Sequence, residues 1–417
     1  MLRAIVFFAS VVSLCAAPLA QHAKEYRAEL SNRILPYWME TVDKTNGGYL
    51  LADDAVKGRS TPRDKMLVSQ ARMVWTFSHV HARGFSDAQH DYLAAARTGY
   101  RFLLDHFRDK EQGGYFWRTD LSGKPTNERK ILYGNSFVVY ALVEYYRASH
   151  DPEALKLAKE LYGTIDRHAH DAKNRGWTEH FTRDWKPLAL KDPAGEVEVA
   201  GYKSANTHLH YMEALTELYL VTKDADVKRS LEEALDLNKR YFYPKDAAKS
   251  AFHFQPDWSA VTDPKSAGLS YGHNIEFAWL MIAAEEALNQ TPDWKHFESH
   301  LDHTLAHGWD SERGGVYDRG VGNEPAKSTV KVWWVQAEAI AAFTDGLKVN
   351  EQKYRGPLDK TIHFVNTYQT DKRDGIWIDT VTADGKPRST GKAHAWKANY
   401  HDVRALMKFI SANEAKN

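Results

Sequence analysis

The motif Gly113-Gly114-Tyr115-Phe116-Trp117 recurs in shortened form along the chain. Its copies are Gly47-Gly48-Tyr49, Gly176-Trp177, Gly314-Gly315-Val316-Tyr317 and Gly375-Ile376-Trp377. Their first glycines are separated by 66, 63, 138 and 61 residues, and the longest interval spans two periods around a degenerate copy at Ser250-Ala251-Phe252-His253. A unit of about 65 residues is therefore present six times, which is typical of a repeat architecture.

A second series of residues follows these copies by 20 to 32 positions. Its members are Arg72, Asn135, His208, His273, Trp334 and His401. Each lies at or near the start of a segment with apolar residues at helical spacing. These segments are 71–80, 136–146, 207–221, 274–288, 334–343 and 402–410, and more polar helical patterns at 87–106, 152–168 and 225–241 lie between them. One unit is thus predicted to contain an outer helix, a Gly-aromatic turn and an inner helix.

Six such helical hairpins can close into a ring with buried, parallel inner helices, which is an all-α (α/α)6 barrel. The alternative is an open solenoid, but the chain has no atypical polar terminal copy of the kind that caps one. The glycines supply backbone with positive φ, and the aromatic residues after them form short turns or strands at one face. Because helix N-termini carry free N–H groups and partial positive charge, we expect the second series to converge in one cup at that face.

The composition is that of an ordinary globular protein with an unusual aromatic content. The 417 residues are 43% apolar and 26% charged, with 55 basic and 55 acidic side chains and a pI near 7.4. This balance provides no basic field for nucleic acid or for an anionic membrane. The 13 Trp, 21 Tyr and 17 Phe are typical of sugar-binding clefts, where flat rings stack on pyranose faces.

The N-terminus has the three parts of a secretory leader. Met1-Leu2-Arg3 is basic, residues 4–15 are largely apolar, and Ala16-Ala17-Pro18-Leu19-Ala20 supplies small residues for cleavage. We expect residues 1–20 to be a signal peptide and residues 21–417 to be a single catalytic barrel, periplasmic or secreted, as a monomer or weak homodimer. An uncleaved anchor and a lipoprotein acylated at Cys15 are the alternatives. Cys15 is the only cysteine, so a processed chain has no disulfide, thiolate nucleophile or Cys-ligated metal.

Three histidines of the second series are candidate acid–base groups. His208 follows capping residues within Asn206-Thr207-His208-Leu209-His210, His273 opens a helix with Glu276 three residues on, and His401 opens the last helix. Glu276 is expected to orient His273 or to raise its basicity. A zinc site was considered, but HExxH is absent and the two histidines of His208-Leu209-His210 diverge on a helix. We expect no metal and no cofactor, since no phosphate-binding glycine loop is present either.

Further candidate residues are cationic or aromatic. Arg72, in an amphipathic helix start, either pairs with a carboxylate or holds a developing oxyanion in the cup. Trp333, Trp334 and Trp396 are candidate sugar platforms, with ordinary core packing as the alternative. Asn135, Asn206 and Trp117 complete the predicted substrate-binding set.

Five motifs in this order resemble the N-acylglucosamine 2-epimerase superfamily, and within it the cellobiose 2-epimerase branch. They are 71–77 (ARMVWTF), 206–210 (NTHLH), 272–276 (GHNIE), 333–338 (WWVQAE) and 396–401 (WKANYH). The resemblance runs from about residue 26 to the C-terminus and implies an (α/α)6 barrel with cofactor-free chemistry at C2 of a reducing sugar. It implies that His273 and His401 are the acid/base pair, and that Trp334 and Trp396 stack on the sugar. It places His208, Arg72 and Glu276 at the other polar positions of the active site.

The sequence departs from that branch at three points near the predicted site. Asn135 stands where the branch usually has Gln, Asn274 replaces the usual Asp, and Asp402-Val403-Arg404 replaces the usual Asn-Gly-Arg. The expected activity is interconversion of reducing-end glucose and mannose in a β-1,4 disaccharide, through a cis-enediolate. Mannose–fructose isomerisation and N-acetylglucosamine 2-epimerisation are the nearest alternatives. An (α/α)6 glycoside hydrolase using Glu276, Glu338 or Asp402, and a non-catalytic sugar-binding protein, are more remote.

Overall fold

The computed structural model describes residues 18–262 and 268–414, so positions 1–17 of the expected leader lie outside the described residues. Twelve α-helices are assigned in this part of the chain. They are α1 Leu19–Glu29, α2 Leu35–Met39, α3 Leu67–Ala82, α4 Tyr92–Phe102, α5 Leu132–Ser149, α6 Pro152–Ala169, α7 Ala205–Thr222, α8 Ala225–Leu237, α9 Tyr271–Ala287, α10 Trp294–His307, α11 Trp333–Phe364 and α12 His401–Asn413. Helix α11 is two helices joined at a kink, where Asn350 leaves helical geometry (φ −153°, ψ 88°).

The helices form a closed ring of six hairpins. The inner helices are α3, α5, α7, α9, the first half of α11 and α12, and each packs against the next. The ring closes where Trp75 of α3 meets Tyr400 just before α12, with ring centroids 5.2 Å apart. This confirms the predicted (α/α)6 barrel and excludes the open solenoid. No helix in the described part of the chain is long and apolar enough to cross a bilayer.

The outer helices carry the polar surface and begin at acidic caps. Asp91, Asp151, Asp224 and Asp293 each accept a hydrogen bond from a backbone N–H in the first turn of the helix that follows. Such caps satisfy donors that a helix start leaves unpaired. Three outer helices end in a π-helical turn shortly before the turn of their repeat, at Leu103–Phe107, Asn238–Phe242 and Val365–Gln369. In the first repeat a π-helical turn at Leu30–Ile34 joins α1 to α2. A 3-10 turn at Ala247–Lys249 directly precedes the degenerate fourth copy.

Short strands link neighbouring hairpins at the face that holds the inner-helix N-termini. They are β1 Asp53–Asp54, β2 Gly58–Arg59, β3 Lys65–Met66, β4 Arg118–Thr119, β5 Pro125–Asn127, β6 Lys130–Ile131, β7 His180–Phe181, β8 Lys203–Ser204, β9 His253–Phe254, β10 Leu269–Ser270, β11 Arg319–Gly320, β12 Lys331–Val332, β13 Thr380–Val381, β14 Pro387–Ser389 and β15 Gly391–Ala393. The strand before each inner helix pairs, antiparallel, with the strand after the next Gly-aromatic turn, as in β3 with β4 and β12 with β13. β15 pairs with β1, so this chain of pairings also closes.

Each Gly-aromatic turn is built on an aspartate that precedes it by a few residues. In the first turn, Oδ1 of Asp43 accepts hydrogen bonds from the backbone N–H groups of Thr45 and Asn46, each at 3.0 Å. Gly48 has φ +68°, and a Cβ there would lie 2.7 Å from Oε1 of Gln70. Only glycine therefore combines this backbone conformation with such close approach of the inner helix.

Buried lysines hold these turns. Lys65 binds Asp43 at 2.8 Å, Lys130 binds Asp109 at 2.9 Å, and Lys331 binds Asp310 at 2.8 Å. Lys203 does the same for Asp171 at 3.1 Å. The Lys331 ammonium also donates to the carbonyl of Gly314 at 2.6 Å. These ammonium groups are paired and hydrogen-bonded, which is what makes a charge tolerable in the interior.

A polar side chain five residues after each of these lysines fastens the same turn to the inner helix. Gln70 accepts from the N–H of Tyr49 at 2.8 Å, and Gln336 accepts from that of Val316 at 2.8 Å. Asn135 does so for Tyr115 at 2.9 Å. In every repeat that has the lysine, the turn is therefore bonded to the strand through the lysine and to the inner helix through the polar residue five positions later.

The first prediction concerns these buried ion pairs. Replacing Lys331 by Met leaves the carboxylate of Asp310 buried without its partner, and we expect the free energy of unfolding to fall by about 3 kcal/mol. Urea titration followed by circular dichroism measures it. The matched control is Lys348→Met, which removes an exposed lysine from Asp345. Because Asp345 keeps its ion pair with Lys408 at 2.6 Å, this change should cost less than about 1 kcal/mol. Equal effects of the two substitutions would contradict the assignment.

Candidate active site

The inner helices bring one residue each into a common layer across the barrel axis. Each of them stands seven positions after the buried lysine of its repeat, or after Leu269 in the fourth repeat and Lys397 in the sixth. They are Arg72, Phe137, His210, Glu276, Glu338 and Arg404. Neighbours in the layer touch: the Arg72 guanidinium lies 4.4 Å from the Phe137 ring centroid, and that ring is 4.9 Å from His210. The layer forms the floor of a cavity that opens at the face with the helix N-termini.

The cavity has a volume of about 500 Å³ and takes in most of the residues that the sequence predicts. Those that line it are Arg72, Asn206, His273, Glu276, Trp333, Trp334, Trp396 and His401. They come from the inner helices and from the turn before α12. These residues line the same cavity because positions three, four and seven after the lysine lie on one face of a helix.

Three predicted residues lie outside the cavity, and this corrects the expectation that they contact the sugar. His208 is buried, accepts a hydrogen bond from the N–H of Trp177 at 3.1 Å and donates from Nδ1 to the carbonyl of Ser204 at 2.8 Å. Asn135 fastens the turn at Tyr115 in the same way. Both stand five positions after the lysine and face the outer turn. Trp117 packs behind Trp396, with ring centroids 6.1 Å apart, and donates to Glu196.

His210, not His208, is the histidine of its segment that reaches the cavity. Its Nδ1 donates to Glu213 at 2.9 Å, which leaves Nε2 for a ligand. Tyr133 also lines the cavity, and its hydroxyl accepts a hydrogen bond from Arg72 at 2.9 Å. Because the second series is aligned on the helix starts, it includes neither of these residues. Counting from the buried lysines would have found His210 as the counterpart of Arg72 and Glu276.

A single buried guanidinium, that of Arg404, organises the carboxylates below the cavity. It donates to Glu276 at 2.8 Å and to Glu338 at 2.7 Å, and it also contacts Glu213. All four side chains are almost fully buried. Because a guanidinium does not lose its charge, this arrangement can hold buried carboxylates that would otherwise be very costly.

The two glutamates nearest the cavity differ in protonation. Burial and the neighbouring charge of Glu338 raise the pKa of Glu276 well above its usual value, against the opposing effect of Arg404. Burial also acts to raise the pKa of Glu338, but Arg404 and the hydrogen bond from His401 outweigh it and lower that pKa. Two like charges this close separate into one protonated and one ionised group. Glu276 is then a neutral donor, and its Oε2 has no partner among the described residues.

The carboxylate of Glu338 orients the imidazole of His401. Nδ1 of His401 donates to Oε1 of Glu338 at 2.7 Å, which fixes the tautomer and leaves the Nε2 lone pair free. Glu276, expected to orient His273, instead binds Arg404. Nδ1 of His273 has no hydrogen-bond partner in the described structure. Burial lowers the pKa values of both imidazoles to about 3, so both are neutral at neutral pH.

Aromatic rings and a few polar groups complete the walls. Trp334 lies between the two imidazoles, with its ring centroid 4.7 Å from that of His273 and 5.8 Å from that of His401. The pair Glu198–His253, at 2.9 Å, and Arg319 also line the cavity. The Arg319 side chain is 59% exposed, which marks the mouth.

One group of side chains has the spacing of a metal site. Ligand atoms of Glu276, Glu338 and His401 lie within 4.8 Å of one another. The Arg404 guanidinium already donates to both carboxylates and supplies the positive charge there. Within the described residues, no other such group of three is found.

Comparison with known proteins identifies the family. A profile of the family described as N-acylglucosamine 2-epimerase (GlcNAc 2-epimerase) matches residues 48–405. The chain belongs to this family. It is 32% identical over 395 residues to a cellobiose 2-epimerase of Bacteroides fragilis, covering 93% of this chain and 98% of that protein. The structure of cellobiose 2-epimerase from Spirochaeta thermophila superposes with a TM-score of 0.84 at 31% identity, over 94% of this chain and 97% of that one.

A second relative has a different activity. The chain is 28% identical over 343 residues to a D-mannose isomerase of Thermobifida fusca, covering 79% of this chain and 81% of that protein. The resemblance to the superfamily and to its cellobiose 2-epimerase branch is confirmed. The departure at Asn135 concerns a residue that holds a turn, so it does not alter the cavity wall.

The second prediction separates His208 from His210. In the His208→Gln variant the new amide can take over the role that Gln70 and Gln336 have at this register, so we expect kcat/KM within about threefold of the unsubstituted protein. The His210→Gln variant loses a cavity group whose other nitrogen binds Glu213. Its kcat/KM should fall by about 100-fold or more, as for an acid–base or binding group in an active site. Sugar turnover followed by NMR measures both, and the opposite order would refute the assignment.

Proposed function

We propose that the protein is a sugar 2-epimerase that interconverts glucose and mannose at the reducing end of a β-1,4 disaccharide of the cellobiose or mannobiose type. The observation that carries the proposal is the pair of neutral imidazoles, His273 and His401, both packed against Trp334 in one cavity. C2 epimerisation needs a proton-transfer group at each face of one carbon. A sugar ring stacked on Trp334 would present C2 to both.

The chemistry needs no electron transfer and starts with ring opening. The C1 carbonyl then acidifies the hydrogen on C2, one imidazole takes that proton, and a cis-enediolate forms. Among the described residues, the Nε–H of Arg72 and Oε2 of Glu276 have no hydrogen-bond partner. A cation and a neutral acid at these places would stabilise the enediolate oxygens as charge develops on them.

Return of the proton decides the product. Delivery to the opposite face of C2 gives the epimer, whereas delivery to C1 gives the ketose. Because both imidazoles are neutral in the free protein, the donating imidazole takes its proton from solvent while the other releases the proton it removed. Solvent hydrogen is therefore expected at C2 of the product.

The polar groups at the mouth of the cavity and the sequence identities with the relatives favour a disaccharide substrate over a monosaccharide. The outer wall offers a carboxylate, an imidazole and a guanidinium at Glu198, His253 and Arg319, beyond the groups that surround the imidazole pair. The cellobiose 2-epimerases are 28–32% identical over at least 91% of this chain. The D-mannose isomerases are 22–28% identical over 79–84%.

Other activities have weaker support. Mannose–fructose isomerisation is the second candidate, because it uses the same enediolate and a D-mannose isomerase is 28% identical. N-acetylglucosamine 2-epimerisation remains a variant of the same chemistry. A glycoside hydrolase needs two carboxyl groups that face each other across the substrate. Of the three predicted for it, only Glu276 lines the cavity, and Glu338 is bound by His401 and Arg404.

We propose further that the protein acts outside the cytoplasm, as a monomer or weak homodimer. The leader-like pattern of residues 1–20 supports export. Mass spectrometry of the N-terminus of the protein from periplasm and from medium tests the leader.

The third prediction concerns the acid limb of the pH profile. An imidazole that acts as a base loses activity as pH falls through its pKa, and burial lowers the pKa values of His273 and His401 to about 3. We therefore expect kcat/KM to stay on its plateau as pH falls below 6.5, the usual value for histidine. Initial rates between pH 4 and 8 measure it, with circular dichroism at each pH as the control for unfolding. A midpoint at or above 6.5 would contradict the low pKa values.

The fourth prediction tests the function itself. Purified protein is incubated with cellobiose, mannobiose, mannose and N-acetylglucosamine in D2O without added metal, and NMR follows the products. The expected result is the 2-epimer of a disaccharide with deuterium at C2, and loss of this exchange in His273→Ala and in His401→Ala. The His79→Ala variant is the control, since His79 lies outside this cavity and pairs with Glu144.

The other outcomes discriminate among the alternatives. Ketose from mannose without conversion of disaccharide would move the protein to the isomerases. Free monosaccharide from disaccharide would indicate a hydrolase. Exchange at an unchanged rate in either histidine variant would refute the assigned bases.

A further inference from the structure

One part of the cavity wall comes from a loop instead of an inner helix. Residues 197–199 line the cavity, and they belong to the loop 190–201, which precedes β8 and α7. The loop closes at its base, because the backbone N–H of Lys191 donates to the carbonyl of Ala200 at 2.9 Å. Between these two residues the chain forms turns and bends. The position of this wall therefore depends on the contacts that fasten the loop to the barrel.

The carboxylate of Glu196 fastens the loop to the hairpin of β4 and β5. Its Oε2 accepts hydrogen bonds from Nε1 of Trp117 at 2.8 Å and from two nitrogens of the Arg118 guanidinium at 3.1 and 3.3 Å. Its Oε1 accepts from Nδ2 of Asn127 at 2.9 Å. Arg118 also binds Asp64, directly before β3, at 3.1 Å. Three separate segments of the open face are thus joined at one carboxylate.

This network differs from an isolated surface ion pair, which contributes little to stability. The Glu196 side chain is 27% exposed and Trp117 is fully buried. Burial acts to raise the pKa of Glu196, but the hydrogen bond from Trp117 and the charge of Arg118 outweigh it and lower that pKa, so the group is ionised at neutral pH. Hydrogen bonds to an ionised acceptor are stronger than neutral ones. Removing the carboxylate would also leave the buried indole N–H without an acceptor, which is costly.

Glu196 also connects the loop with the aromatic wall of the cavity. Trp117 packs behind Trp396, with ring centroids 6.1 Å apart, and Trp396 lines the cavity. Glu196 itself directly precedes residues 197–199. The floor is held by other contacts, those of the Arg404 guanidinium. One side chain therefore fixes the loop wall relative to the aromatic wall without touching the floor.

We propose that Glu196 is a positioning residue that holds the loop 190–201 and Trp117 at the spacing that the second sugar of a disaccharide requires. This inference rests on the proposed function, because it assigns the outer part of the cavity to the sugar beyond the reducing end. Glu198, which offers its carboxylate there, belongs to the same loop. Loss of Glu196 should therefore weaken disaccharide binding, whereas proton transfer at C2, carried by the imidazoles and the floor, keeps its rate.

The variants Glu196→Ala and Glu196→Gln test the role in binding. Calorimetry measures the Kd of cellobiose and of glucose, and NMR measures kcat and KM for cellobiose. In Glu196→Ala we expect Kd and KM for cellobiose to rise about tenfold or more, as for lost hydrogen bonds to a charged group. The kcat and the Kd of glucose should stay within about threefold, because binding of the outer sugar alone is lost. Glu196→Gln keeps an oxygen for Trp117 and should restore part of the affinity.

Hydrogen exchange followed by mass spectrometry tests the holding role without any sugar. In Glu196→Ala the amides of the loop 190–201 should exchange about tenfold faster or more, since less free energy is needed to open the loop. The melting temperature should fall by no more than about 3 °C, because the helices of the barrel are unaffected. The matched control is Glu232→Ala on the outer helix α8, whose carboxylate is 45% exposed and lies 3.4 Å from Lys228. It should change none of these quantities.

Four results would overturn the proposal. Unchanged exchange of the loop in Glu196→Ala would show that the carboxylate does not hold it. Faster exchange with an unchanged Kd for cellobiose would show a structural contact without a role in binding. Equal losses of affinity for cellobiose and glucose would remove the assignment to the second sugar, and so would a fall in kcat at constant KM. If the unsubstituted protein turns over none of the sugars, the proposed function fails, whereas calorimetry and exchange still decide what Glu196 does.

Discussion

The buried guanidinium of Arg404 is the interaction on which the site depends. It binds buried carboxylates from three other inner helices, Glu213, Glu276 and Glu338. The net charge of this cluster is what separates the protonation states of Glu276 and Glu338. One carboxyl group is then free to donate to a sugar oxygen, and the other is free to orient His401. A change at Arg404 would therefore reach the acid, the base and the packing of four helices together.

The turns at the open face supply the rigidity that this floor requires. Four of the turns are tied to a lysine in the strand and to an amide or imidazole on the inner helix, as at Lys331 and Gln336. The inner helices are thereby fixed in rotation about their own axes, and the residues at positions three, four and seven after the lysine must face the cavity. Residues at position five after the lysine face the turn instead of the cavity, even where they are of the same type as a cavity residue. His208 and His210 show the consequence: two residues apart, one secures a loop and the other meets the substrate cavity.

The sequence alone predicts the fold and most of the residues that line the cavity, and this has a physical reason. The glycines at turns such as Gly48 cannot be replaced without a clash, so the repeat survives in the residue pattern and gives the ring of six hairpins. The aspartate and lysine of each turn recur with the same period but were not recognised, because charged residues are usually read as solvent-facing. Without that register, Asn135 and His208 were grouped with His273 and His401. The pairing of His401 with Glu338 joins residues 63 positions apart, and no local pattern reveals such a contact.

Substrate choice and reaction type have separate physical origins in this barrel. In the proposed mechanism the floor residues meet C1 and C2 of any aldose, because the enediolate is the same for a mono- or disaccharide and for epimer or ketose. What distinguishes the outcomes lies above the floor, in how Trp334 and Trp396 fix the rotation of the open chain and in what Arg319 and Glu198 accept at the mouth. Two members of one family can therefore share the buried network and differ in product. The turn between Trp396 and His401 is the point where the two layers meet, since it carries a wall residue at one end and a base at the other.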